Sequence, residues 1–426
     1  MMQIIKNESI DQIKARIRQQ TSKTSDPLVE SRVTNIIKTV REKGDIALRA
    51  YAEEFDHVSL DELKVSAEQI DLAVKNVDPA VIRALEKAAV NIRSFHQLEL
   101  QQSFEDSPRS GVTRGTKVTP LSAVGIYVPG GTAAYPSSVL MNALPAKIAG
   151  VKNIIMVTPP QKNGLNDAVL VAARIAGIDS IYQVGGAQAI AALAYGTESI
   201  PQVDKITGPG NAYVATAKRA VFGQVAIDMI AGPSEIGILA DESARAKDVA
   251  ADLLSQAEHD SNARAILITN SEKLAQAVSD EVNVQLSTLP RAAIARDAID
   301  NNGFIYLVDT IDNMIDLMNA VAPEHLEIQL ENAYDYINKI QNAGSVFLGK
   351  YASEPLGDYL AGPNHILPTG GTARFSSALG VWDFQKRIQY LYYSKDALLD
   401  DINDVTVLAR EEGLEGHARA IEIRQS

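Results

Sequence analysis

The sequence predicts an α/β fold: two parallel-sheet units, one inserted in the other, with a helical N-terminal arm and a C-terminal tail. Three observations carry this. Between 122 and 236, short apolar runs repeatedly end in glycine or proline and give way to a helical stretch. The same alternation resumes after 236. Before 122, apolar residues instead recur mostly at helical spacing.

The elements follow in order. The arm, residues 1–22, is amphipathic through Ile4, Ile5, Ile10, Ile13 and Ile17. Residues 26–102 read as largely helical: Ile36, Val40, Ala47 and Tyr51 keep the period, as do Val81, Leu85, Ala89 and Ile92. Gly44 is placed to break the first of these helices. Expected strands 124–128, 154–157, 181–184, Lys205–Thr207 and 225–228 then lead in turn into Pro129-Gly130-Gly131, Pro159-Pro160, Gly185-Gly186-Ala187-Gln188, Gly208-Pro209-Gly210-Asn211 and Ala231-Gly232-Pro233-Ser234. Ligands of such sheets sit beyond the carboxyl ends of the strands, where these loops gather. Further strands are expected at 236–240 and 265–269, around a helix at 246–258, and at 304–308 and 346–348. Two Rossmann-like domains result: an inserted one, 122–236, and a discontinuous one, 23–121 with 237–380. The tail, 381–426, has helical spacing but too little apolar surface for its own core, so it must dock, and a partner subunit offers one surface.

Composition narrows the function. The chain has 426 residues, 46% hydrophobic and 22% charged, which fits a globular protein of two or more domains. A net charge of -13 speaks against coating nucleic-acid phosphates. Met1 to Gln20 lacks an apolar signal core, and no run approaches the roughly 20 apolar residues of a membrane helix. A cytoplasmic protein without membrane or nucleic-acid partners is expected. There is no cysteine. Disulfides are excluded, any metal site must use N and O ligands, and carbonyl chemistry must proceed without a thiohemiacetal.

Four histidines lie in short polar motifs of the second half: His259, His325, His365 and His417. Imidazole is both a metal ligand and a proton carrier near neutral pH. Gln256 and His259, three apart near a helix end, share one face and suit two metal ligands, or a histidine set against the helix dipole. Asp358 sits in a Gly- and Pro-rich stretch that suits a functional loop or a simple turn. His365, in Pro363-Asn364-His365, reads as turn chemistry. Glu324 and His325 follow Pro323 at the end of the helical run 314–322. They suit two proton-transfer roles at one centre, or a charged helix end facing water. His417 fits a charged surface helix. The loops at 185–188 and 208–211 are nucleotide-loop candidates, though neither completes G-x-G-x-x-G.

Taken in order, these motifs resemble the histidinol dehydrogenase family from about residue 30 to 420. The most specific pieces are Gly125-Ile126-Tyr127-Val128-Pro129-Gly130-Gly131, Val184-Gly185-Gly186-Ala187-Gln188-Ala189-Ile190 and Gly208-Pro209-Gly210-Asn211-Ala212-Tyr213-Val214. Ile227-Asp228-Met229 with Ala231-Gly232-Pro233-Ser234-Glu235, the run Asp252 to His259, Ala322-Pro323-Glu324-His325-Leu326, and the loop 357–374 complete the set. The resemblance implies a zinc- and NAD-dependent enzyme that oxidises L-histidinol through the aldehyde to L-histidine, the final step of histidine biosynthesis, reducing two NAD⁺. It implies zinc held by Gln256, His259, Asp358 and His417, with His417 supplied by the other subunit of a homodimer. It implies Glu324 and His325 as the catalytic pair. Ser234, Glu412 and His417 would line the substrate site beside Gln256, His259, His325 and Asp358. Tyr127, Gln188 and Asn211 would contact NAD. The residues alone leave two rivals: a zinc hydrolase, which needs the same ligands but no NAD, and a non-catalytic α/β binding protein.

Overall fold

The computed structural model describes residues 2–21, 26–130, 134–178 and 180–425. Residues 22–25, at the expected end of the arm, and Gly131, which closes the first glycine motif, lie outside the described residues.

Two parallel sheets and one antiparallel sheet organise the chain. The five-stranded sheet runs, edge to edge, Ser180–Gln183, Asn153–Thr158, Ala123–Tyr127, Lys205–Thr207 and Ala226–Ile227. Its first strand is central. The chain moves out to one edge, returns, and fills the other side, which leaves a crevice where the order reverses. The six-stranded sheet repeats the pattern with Gln3–Ile5, Gly303–Leu307, Arg264–Thr269, Glu235–Ala240, His325–Gln329 and Ser345–Leu348. All its neighbours pair in parallel. The expected strands are present, shifted at their ends by one or two residues, as fits the ordinary uncertainty of element boundaries.

Five expectations change. The arm is not wholly helical. Gln3–Ile5 forms an edge strand beside Gly303–Leu307, and only Ile10–Thr21 is helix. Ile5, Ile13 and Ile17 are buried with Tyr306, Ile315 and Leu317, so this segment is part of a core.

The grouping of 23–121 with 237–380 also gives way. Val33, Ile36, Ile37 and Val40 of helix Pro27–Lys43 share a core with Tyr127, Ile155, Val184 and Ile190. Ile70 and Ala73 of Ala67–Asn76, and Leu85 and Ile92 of Pro79–His96, pack with Leu140, Leu144, Val169 and Leu170. These helices therefore cover the five-stranded sheet. Their amphipathic pattern fixed which face is buried but not which sheet would bury it.

Third, the tail is not helical throughout: a single 3-10 turn, Val381–Phe384, gives way to a strand. Gln385–Tyr393 is a strand, antiparallel to Val112–Pro120, which also pairs with Phe104–Arg109. Helices Lys395–Glu411 and Glu415–Glu422 follow. Fourth, His325 opens the interior strand His325–Gln329, one in from the sheet edge, and does not end a helix in water. Fifth, the stretch around Asp358 contains a short helix, Glu354–Tyr359, with Pro355 in its first turn, where a missing N–H costs nothing.

Candidate active site

A cleft of about 790 Å³ opens between the two parallel sheets. One wall comes from the carboxyl edge of the five-stranded sheet: Tyr127, Pro129 and Gly130 after one strand, Gly208 to Asn211 after its neighbour. These two strands flank the point where the strand order reverses, so the glycine loops gather as expected. The other wall comes from the amino edge of the six-stranded sheet. There Glu235 and His325 begin adjacent strands, and Gln256 and His259 end a helix that runs back towards that edge. A carboxyl edge thus faces an amino edge.

The glycine wall is held by a buried ion pair. Lys218 pairs with Asp228, and both side chains are nearly fully buried. The Lys218 ammonium also donates to the Gly208 carbonyl at 2.9 Å, and the Gly208 amide donates to Asp228 at 2.8 Å. Gly208 itself has φ +111°, and a Cβ there would fall 2.1 Å from the Tyr127 carbonyl oxygen. Gly208→Ala should therefore destabilise the fold by about 2 kcal/mol or more. Urea unfolding checks this, and an unchanged midpoint would show that the loop has room to relax.

The polar wall is built around one residue's main chain. Helix Ile311–Val321 ends at Ala322, which takes the left-handed conformation at φ 49°. Pro323 prevents continuation, and the chain turns so that Glu324 and His325 enter the sheet edge. The Glu235 amide donates to Glu324 Oε2 at 2.9 Å. His325 Nδ1–H donates to the Glu235 carbonyl at 3.2 Å. Glu235's own carboxylate accepts from Arg264 at 2.9 Å and from the Gly370 amide at 3.0 Å. With Nδ1 engaged, His325 directs Nε2 at Asp358, 3.4 Å away.

Burial pushes the Glu324 carboxyl up to about 7. Burial alone would lower His325, but the carboxylates of Glu324 and Asp358 outweigh it and push the ring up to about 9. Burial likewise works against ionised Asp358, yet the His325 and His365 rings hold it well below the usual carboxylate range. A carboxyl that titrates near neutrality beside an imidazole is an acid–base pair matched to proton transfer.

Gln256, His259 and Asp358 all line the cleft. Gln256 is 1% exposed, and neither atom of its amide has a hydrogen-bond partner. A buried amide left open on both sides fits a missing ligand, and the oxygen and nitrogen donors fit a borderline divalent cation. His325, Glu354 and Asp358 also bring ligand atoms within 4.8 Å of one another.

Not every expected residue is here. Tyr127, Asn211 and Ser234 line the cleft. Asn211 uses its side chain to cap helix Ala212–Val221. Gln188 is buried in helix Gly186–Tyr195, behind the residues that line the cleft. Glu412 and His417 are exposed on the tail and do not line this chain's cleft. His365, which reads as a turn residue, does line it. Its Nδ1–H donates to the Asp358 carbonyl at 2.9 Å, and Nε2 lies 3.2 Å from Ser138 Oγ. Glu235 and Glu354 carried no signal beyond their acidic character.

The fold and cleft define a two-sheet α/β enzyme, with a nucleotide-type glycine wall facing a buried glutamate–histidine–aspartate cluster. Residues 18–425 match the family model described as Histidinol dehydrogenase. The histidinol dehydrogenase of Lactiplantibacillus plantarum is 63% identical over 99% of both chains. That of Streptococcus mutans is 62% identical over 93% of this chain and 92% of its own. The crystal structure of histidinol dehydrogenase from Elizabethkingia anophelis superposes with a TM-score of 0.94 at 38% identity, covering 99% of this chain and 98% of that one. The chain belongs to the histidinol dehydrogenase family.

Proposed function

We propose that this chain oxidises L-histidinol through L-histidinaldehyde to L-histidine, passing two hydrides to NAD⁺, the final step of histidine biosynthesis. The observation that carries this reading is the buried Glu324–His325 pair, clamped by the Glu235 main chain, opposite glycine loops at a strand-order reversal.

In this reading Gln256, His259 and Asp358 hold one zinc ion per subunit, with His417 of the partner subunit completing the set. When bound, NAD⁺ supplies the hydride acceptor and zinc a template for the substrate's imidazole and amine. In its neutral form, with Nδ1–H held by the Glu235 carbonyl, His325 takes the alcohol proton at Nε2 as the carbinol carbon is oxidised. Glu324 then takes a proton from the water that adds to the aldehyde. With no cysteine in the chain, the aldehyde is oxidised as its hydrate, and His325 takes the proton released in the second oxidation. One substrate and one water yield one carboxylate, with two hydrides and three protons removed. In this reading Tyr127, Gln188 and Asn211 contact NAD, and Ser234, with Glu412 and His417 of the partner subunit, lines the substrate.

A homodimer is supported by the tail. Ile388, Leu391 and Tyr392 on strand Gln385–Tyr393, and Val407 and Leu408 on the helix that follows, are exposed. Exposed apolar side chains recurring along one segment support an association surface. Among the described residues no helix is long and apolar enough to cross a membrane, which is consistent with the cytoplasmic site we propose.

The test is NADH formation from L-histidinol and NAD⁺, before and after chelation and with zinc restored. Two NADH per histidinol, lost on chelation and regained with zinc, is the expected result. No NADH from the zinc-loaded protein would overturn the reading in favour of a hydrolase or a binding protein.

A further inference from the structure

Strand His325–Gln329 alternates in an unusual way. Leu326 and Ile328 enter an apolar core, while His325, Glu327 and Gln329 share the opposite face and are buried as well. His325 belongs to the proton-transfer pair. The other two have no part in it, yet a buried carboxyl is costly without a purpose or a partner.

Glu327 reaches two elements at once. Its Oε1 accepts from the Glu354 amide at 2.9 Å, the first residue of the helix that carries Asp358. On its other side the Gln329 amide nitrogen links it to Asp252, donating to Glu327 Oε2 at 2.8 Å and to Asp252 Oδ2 at 2.7 Å. Asp252 lies on helix Ala246–Ala257, four residues before Gln256 and so on the same face. Two carboxyls gathered on one amide, one of them buried and one half-buried, repel each other unless one keeps its proton. Burial, then the neighbouring Asp252, push Glu327 up to about 9, in keeping with a proton kept there.

We propose that Glu327 is a positioning residue for the metal centre: linked through the Gln329 amide to Asp252 on one side and bonded to the Glu354 amide on the other, it fixes the separation between the Gln256–His259 helix end and Asp358. The inference rests on the reading that those three residues hold zinc. It adds that their spacing is set from the sheet below by a side chain that touches neither the metal nor the substrate.

The shape of the hydrogen bonding makes a sharp test. Glutamine at 327 can still accept from the Glu354 amide with its oxygen and turn its nitrogen towards Asp252, giving up the bond from Gln329 and needing no shared proton. Methionine has similar length and offers neither. Zinc affinity is measured on chelator-stripped protein by competition with a chromophoric chelator, beside thermal unfolding of the same samples. Glu327→Met should weaken zinc binding about 10–100-fold, the usual range for partners behind the ligands, and Glu327→Gln by less than about threefold. If Glu327→Met does not fold, Glu327→Asp, which shortens the reach by one methylene, should weaken binding about tenfold. Asp358→Ala is the control. Should it weaken zinc binding while the folded Met or Asp variant binds as tightly as the unsubstituted protein, the positioning role is overturned. Equal losses in the Met and Gln variants would overturn it too. Unchanged binding in Asp358→Ala would instead sink the ligand reading, and the positioning role with it.

Discussion

Glu324→Gln should cut turnover about a thousandfold while leaving the protein folded and able to bind zinc. Glutamine keeps the shape of the side chain and can still accept from the Glu235 amide, so the sheet edge is preserved. What it loses is the basic oxygen. The loss should fall on one half of the reaction: the alcohol is still oxidised, and one NADH per site forms in a burst, but the second oxidation stalls for want of activated water. His325→Asn should remove the burst as well. The sign of the pH effect follows from burial, which pushes Glu324 up to about 7. The working forms are the Glu324 carboxylate and the neutral His325 ring, so the rate in the unsubstituted protein should climb as pH rises through about 7 and on towards about 9, and the lower limb should vanish in Glu324→Gln. Full two-NADH turnover by Glu324→Gln would remove the residue from the mechanism.

The second large effect concerns the tail. His417 is exposed on helix Glu415–Glu422 and absent from its own chain's cleft. If it acts in a partner's cleft, His417→Asn and Glu324→Gln homodimers should each be nearly inactive. Unfolded together and refolded as a mixture, they should regain about a quarter of the unsubstituted activity: half the dimers are mixed, and one of the two sites in each mixed dimer escapes both substitutions. Absorbance of NADH with saturating histidinol reads this directly. A mixture no more active than its parents would mean that the tail does not cross between subunits.

The parallel sheets were legible because their strands are short apolar runs punctuated by glycine and proline, a pattern with few alternatives. Other elements hid for physical reasons. His325–Gln329 alternates polar and apolar residues as a half-exposed strand would, yet both its faces are buried, because its polar face meets carboxyl and amide partners instead of water. After a helix and a proline, the same residues read as a solvated terminus. Phe104–Arg109 is exposed along its whole length, so it carries no burial pattern at all. The helices between 27 and 96 announced their apolar faces but not their neighbour, since an amphipathic stripe is equally satisfied by either sheet. Within the cleft, Gln256, His259, Asp358, Glu324 and His325 all stood out as polar residues in motifs, and they converge on one wall. His365 did not stand out, because an Asn-His pair after proline is ordinary turn chemistry until its ring is seen to hold the Asp358 carbonyl.

Glu235 grips Glu324 and His325 through its amide and carbonyl, which every amino acid except proline possesses in full. Replacing its side chain cannot delete those two bonds. It can only release the anchors at Arg264 and Gly370 and let the grip drift. A survey by alanine substitution would therefore record position 235 as modest and overlook the strongest constraint it exerts. Amide-to-ester replacement of the 234–235 linkage, which removes that N–H and weakens the Ser234 carbonyl that accepts from the Arg264 amide, is the perturbation that would expose it.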